Sequence, residues 1–153
     1  MGGKRATQWA VGAMGAVLLS VTASGQSKPA VPAGFTLVDV GEPLSGVIFG
    51  DPNKPGIHIT RNRFLPGQGS TPHYHDEDRY ITVIKGTWWV ALGPESDVYD
   101  PAKMIPMKTG SFLFEPAFGH HYDGAKDEEV IVEILHMGPS KTIPVEKPGG
   151  ARP

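Results

Sequence analysis

The sequence predicts an all-β domain, and three observations carry that prediction. Short runs of β-branched and aromatic residues recur from Phe35 onward, Gly and Pro separate them at spacings of roughly ten residues, and no long stretch keeps a helical apolar period. Taken in order, the predicted strands are Phe35–Val40, Leu44–Phe49, Gly56–Phe64, Tyr80–Lys85, Thr87–Leu92, Met104–Met107, Ser111–Glu115 and Glu129–Met137. Breakers sit between them: Gly41-Glu42-Pro43, Asp51-Pro52-Asn53-Lys54-Pro55, Pro66-Gly67-Gln68-Gly69, Gly93-Pro94 and Thr109-Gly110 interrupt the ladder by removing an N–H or permitting a turn. The polar stretch from Glu95 to Ala102 reads as a loop between two halves of the sheet system.

Composition bounds the chemistry. The 153 residues include 20 Gly and 15 Pro, rich in turns, and 39% hydrophobic residues, enough for one core. A formal charge of -2 leaves no polybasic field, so nucleic acid is not an expected partner. With no cysteine, thiol catalysis, disulfides, iron–sulfur clusters and Cys-type zinc sites are excluded for this chain, and a metal must take His, carboxylate or water ligands.

The first residues read as an address. Lys4 and Arg5 precede the mostly apolar stretch Trp9–Val21, and small residues Thr22-Ala23-Ser24-Gly25 follow, the order of a secretory signal. About 13 apolar residues reach only ~20 Å as a helix, too short to span ~30 Å of hydrocarbon. The expected organisation is a cleaved signal over 1–25, a linker over 26–34, the barrel over 35–139 and a loose Pro/Gly-rich tail over 140–153. The expected location is secreted or periplasmic, without a stable membrane anchor.

The histidines carry the chemistry. His73 and His75 are two apart, so on an extended strand both face one side, as one strand must do to give two imidazoles to one ion. Gly67 precedes His73, Gly86 closes the segment, and a second segment runs Gly110-Ser-Phe-Leu-Phe-Glu-Pro116-Ala-Phe-Gly119-His120-His121. From Gly67 to Asp123 these segments resemble the two motifs of the cupin superfamily: glycine, five residues, His-x-His, an acidic residue and a later glycine; then glycine, five residues, proline, glycine and histidine. The resemblance implies a double-stranded β-helix, or jelly-roll barrel, with His73, His75 and His121 as three imidazole ligands to a divalent transition metal (Mn, Fe, Ni, Cu or Zn). Gly119 stands one residue later than the usual pattern, and His120 is the reserve ligand because extended backbone points it the other way.

One position departs from the family. The acidic ligand expected four residues after His75 is Arg79 here, and a guanidinium cannot coordinate. Three readings stay open: Glu77 supplies the carboxylate; or three histidines and water hold the ion while Arg79 orients an anionic ligand; or Arg79 has displaced the metal and the pocket binds a small molecule without it. The stretch from His75 to Trp88, with Glu129 to Pro139, resembles a subgroup of secreted or bacterial single-domain cupins that carries Asp-Asp-Arg after the histidine pair.

Other residues complete the reading. Adjacent Trp88 and Trp89 must point to opposite faces; one enters the barrel and the other needs a cover, which points to a homodimer. Phe112, Phe114, the Tyr80, Thr82, Ile84 set and the Ile81, Val83 set read as core. Glu133, a carboxylate among apolar neighbours, and His120 join Arg79 as candidate substrate contacts, while Glu133 paired with Arg61 or Arg63 is the plainer alternative. His58 and His136 read as structural; Glu95, Asp97, Asp100 and the Lys126–Glu129 run read as solvated turns. The expected function is an exported metal-dependent enzyme of dioxygenase, isomerase or lyase type on a small polar organic molecule. The alternative is a non-enzymatic binding protein for an anionic ligand.

Overall fold

The computed structural model describes residues 31–38 and 45–146. The chain from Leu37 onward forms one compact unit. Among the described residues there are ten strands: β1 (Gly46–Phe49), β2 (Gly56–Phe64), β3 (His73–His75), β4 (Arg79–Lys85), β5 (Thr87–Leu92), β6 (Ile105–Lys108), β7 (Phe112–Glu115), β8 (His121–Gly124), β9 (Val130–Gly138) and β10 (Thr142–Pro144). They form two five-stranded antiparallel sheets, in the orders β1-β2-β9-β4-β7 and β10-β3-β8-β5-β6. Two short 3-10 turns, Pro94–Asp97 and Pro101–Lys103, occupy the stretch read as a loop.

The core lies where the alternating apolar residues meet. Ile81 and Val83 of β4, Trp88 and Val90 of β5, and Val130, Val132 and Ile134 of β9 form one buried cluster with Ala125. A smaller cluster joins Ala91, Met104 and Tyr122, with Trp89 and Tyr99 packed against it. Strand period two explains both faces of β4 as far as the irregularity after Val83: Ile81 and Val83 go inward, and Tyr80 and Ile84 stay exposed. Gly86 makes the β4–β5 turn at φ 76, and a Cβ there would lie 2.3 Å from the Glu129 carbonyl oxygen.

Several expectations are corrected. Phe35–Val38 form no strand, and Asp39 and Val40, like residues 1–30 and 147–153, lie outside the described residues. Phe112 and Phe114 are not core: they are 60% and 48% exposed, and Leu113 between them packs inward instead. Short strands β8 and β10 were absent from the sequence reading. Strand β10 falls inside the stretch expected to be a loose arm, and it forms because Thr142–Pro144 can pair with β3 at a sheet edge, where proline is tolerated.

Trp88 enters the core at 2% exposure, where its indole N–H donates to Asp123 Oδ2 at 2.9 Å. Trp89 is covered within the chain, by Lys126 with its ammonium 3.6 Å from the ring centroid. No second copy is needed to cover it.

Replacing Gly86 with alanine forces an L side chain into a positive φ against a backbone oxygen. Gly86→Ala is expected to cost roughly 1–3 kcal/mol, read as a lower urea midpoint with an unchanged slope. An unchanged midpoint would show that the turn relaxes freely.

Candidate metal centre

Antiparallel pairing assembles the centre. His73 of β3 lies directly opposite His121 of β8, and His75 is on the same face as His73 two residues on. One nitrogen from each of the three rings lies within 4.8 Å of the others, and among the described residues this is the one such group of three His, Asp or Glu side chains. Ring centroids are 4.1 Å apart for His73 and His121, 4.9 Å for His73 and His75, and 5.2 Å for His75 and His121.

The orientation of each ring has a cause in the main chain. His73 Nδ1 donates to the Thr71 carbonyl at 2.7 Å, His75 Nδ1 to the Lys141 carbonyl at 3.1 Å, and His121 Nδ1 to the Gly119 carbonyl at 3.0 Å. A carbonyl can only accept, so each bond places the proton on Nδ1 and leaves the Nε2 lone pair for an ion. Burial holds the His75 pKa down to about 2, with Arg79 adding to the effect, and holds His121 down to about 4, with His73 adding to it. Both rings are therefore neutral at neutral pH, as metal ligation requires.

A cavity of about 170 Å³ opens onto the three rings and is also lined by Asn62, Ser70, Arg79, Glu115 and Asp123. Asp123 is spent on structure: it accepts from Trp88 and from the Ser70 hydroxyl. Glu115 is different. It is 3% exposed, both its carboxyl oxygens are without a hydrogen-bond partner among the described residues, and burial raises its pKa to about 8 against the pull of Arg79. Its Oε1 lies 3.4 Å from His121 Nδ1, whose proton goes to Gly119.

Glu77 does not join the three histidines. Its Oε1 accepts from Arg79 Nη2 at 3.2 Å and from His136 Nδ1 at 3.0 Å, so its carboxylate faces the guanidinium rather than the ring nitrogens. Arg79 also donates to Ser140 Oγ at 3.2 Å. Of the expected substrate contacts, only Arg79 lines the histidine cavity. His120 is elsewhere, bonded to Asp97 and stacked on Tyr74, so Asp97 is not the solvated turn residue expected of it. Glu133 accepts from Arg61 Nε at 2.9 Å, the pairing held as the alternative. His136 is structural in a specific sense, since its Nδ1 proton helps hold Glu77, and its ring lies 3.6 Å from that of His58.

The sequence reading missed Glu115 and Asp123 as cavity residues. The available signal was the alternation Phe112, Leu113, Phe114, Glu115, which puts a lone carboxylate on the face of Leu113.

The depressed histidine pKa values have a consequence for stability. Between the unfolded value near 6.5 and the folded values, the unfolded chain binds more protons, so stability falls as pH falls through this window. The metal-free chain is expected to lose urea resistance steadily from pH 6.5 to pH 4, and His75→Gln to flatten that slope. Equal slopes in the two chains would contradict the buried neutral state of His75.

No protein-family model and no curated protein matches the chain. Solved structures do. The polyketide cyclase RemF from Streptomyces resistomycificus aligns with a TM-score of 0.56 at 14% identity, over 81% of this chain and 89% of that one. KdgF from Halomonas sp. aligns at 0.49 and 19% identity, over 61% of this chain and 76% of that one. A cupin-2 domain containing protein from Shewanella frigidimarina aligns at 0.47 and 20% identity, over 61% and 79%. At these identities the likeness shows the fold alone: two five-stranded antiparallel sheets packed around a core give the chain the jelly-roll fold, a double-stranded β-helix.

Proposed function

We propose that this chain is an exported metal-dependent enzyme in which His73, His75 and His121 hold one divalent transition metal. The observation that carries the reading is the set of three Nδ1-to-carbonyl bonds, which leave Nε2 of each ring for an ion in a group whose ligand nitrogens lie within 4.8 Å of one another. Neutral imidazoles suit Mn, Fe, Ni, Cu or Zn. Such an ion would act as a Lewis acid that polarises a bound oxygen atom. The chain's own residues do the rest. Trp88 and Ser70 fix Asp123, and Glu77 with Ser140 holds Arg79 at the cavity.

A cavity of about 170 Å³ is below the usual range for drug-sized ligands, which favours a small substrate, and its lining favours a polar one. Dioxygenase, isomerase and lyase chemistry all fit an ion with an open position. A metal-free carrier of anions has less support, because the Arg79 guanidinium is already engaged by Glu77 and Ser140.

Export rests on the order of residues from Lys4 to Gly25. Among the described residues no helix is long and apolar enough to cross a membrane. Self-association into a homodimer rests on a different surface from the tryptophans. In register across all five strands of one sheet, Phe114, Tyr80, Leu135, Ile59 and Phe49 form an apolar row on its outer face. Phe114, Tyr80 and Phe49 are 48%, 43% and 47% exposed, and the next row carries the Arg61–Glu133 pair, whose two signs suit a two-fold partner.

The native chain, expressed without a His tag, is expected to carry near-stoichiometric transition metal by mass spectrometry, and His73→Ala to lose it. A native chain that neither carries metal nor takes up added Zn²⁺ or Mn²⁺ would sink the proposal, and metal gained only in Arg79→Glu would assign closure of the site to Arg79. For the dimer, light scattering on the native chain should give twice the monomer mass, and Tyr80→Lys with Phe114→Lys should give the monomer. A monomeric native chain at about 50 μM would remove that part.

A further inference from the structure

We infer that Glu115 is the carboxylate of the metal centre, acting from outside the coordination shell as the acceptor for a water or hydroxyl group bound at the ion. The inference rests on the metal reading above and adds a residue to it. Two observations carry it independently.

The first is a buried acid without a hydrogen-bond partner. Glu115 is 3% exposed, lines the cavity with the three histidines, and has no hydrogen bond to either oxygen among the described residues. A buried carboxylate left this way is costly, and the chain offers no structural return for it. Asp123 in the same cavity shows the contrast, since Trp88 and Ser70 take both of its oxygens. The donors that Glu115 lacks must come from the occupant of the cavity.

The second is register. Arg79 of β4 and Glu115 of β7 are direct cross-strand partners, so their Cβ atoms leave the same face of one sheet side by side. Arg79 stands where the sequence motif leads one to expect an acid, and the neighbouring strand supplies an acid directly beside it. The two do not neutralise each other: the guanidinium turns to Glu77 and Ser140, and Glu115 stays with the histidines. Glu115 is not part of the ligand group that His73, His75 and His121 form, so the part assigned to it is played from outside the coordination shell. From there it favours water, an alcohol or another hydrogen-bond donor at the open position and opposes a carboxylate ligand.

The test uses the native chain, Glu115→Gln, Glu115→Met and, as a control on the outer face, Glu133→Gln. Zn²⁺ affinity is read by calorimetry, and the Co²⁺ form by its visible spectrum during titration with acetate. Glu115→Gln and Glu115→Met are expected to weaken Zn²⁺ binding roughly 10- to 100-fold, the usual cost of losing an outer-shell partner, while Glu133→Gln stays at the native value. Acetate should perturb the Co²⁺ spectrum of Glu115→Gln at lower concentration than that of the native chain. The metal-free Glu115→Met chain should melt at or above the native temperature, because it loses two unpartnered oxygens and keeps the volume.

Zn²⁺ affinities within twofold of native in both Glu115 variants would overturn the inference while leaving the three-histidine site standing. A lower melting temperature in Glu115→Met with native affinity in Glu115→Gln would do the same, by assigning Glu115 a structural role. A native chain that binds no Zn²⁺ would remove both the metal reading and this one.

Discussion

Everything at the centre depends on where three imidazole protons go. An imidazole buried between two sheets has to place one N–H, and here the acceptors are the carbonyls of Thr71, Lys141 and Gly119. For His73 and His121 the acceptor is two residues earlier on the same segment, so local backbone shape orients the ring. For His75 the acceptor comes from the residue before β10, which pairs with β3. The short edge strand thereby becomes part of the site, and its three residues align a ligand as much as they extend a sheet.

Burial then sets the charges. Desolvation disfavours the charged form of each group, which keeps His75 and His121 neutral and pushes Glu115 upward. Arg79 remains the cation of this interior, and the chain balances it locally with Glu77, itself held by His136. The consequence is a division of labour among carboxylates. Glu77 answers Arg79, Asp123 answers Trp88 and Ser70, and Glu115 is left facing the cavity.

The apolar surface is divided just as clearly. Indole area that looks too large for one chain is absorbed within it, Trp88 by the core and Trp89 by the stem and charge of Lys126. The uncovered aromatic area lies instead on the outer face of the other sheet, at Phe112, Phe114, Tyr80 and Phe49. Period two decides this outcome: the same alternation that sends Leu113 and Ile81 inward sends their neighbours out.

By itself the sequence determined the all-β class, the bounds of β2 and β5, and the approach of His73, His75 and His121 to one another. Alternation, turn residues and the His73–His75 spacing are local signals, enough for strands of six to nine residues, whereas His121 was joined to the pair only by what the resemblance to the cupin motifs implies. Strands β8 and β10 lack the apolar alternation that marks even the four-residue β1, β6 and β7, and they pair with β3 and, for β8, with β5. Which carboxylate serves the centre was likewise a tertiary decision. Glu77 and Glu115 are both acids close to the histidine motifs in sequence. Only the strand register shows that Arg79 and His136 claim the first and that nothing among the described residues claims the second, because alternation assigns a face and says nothing of what lies across it.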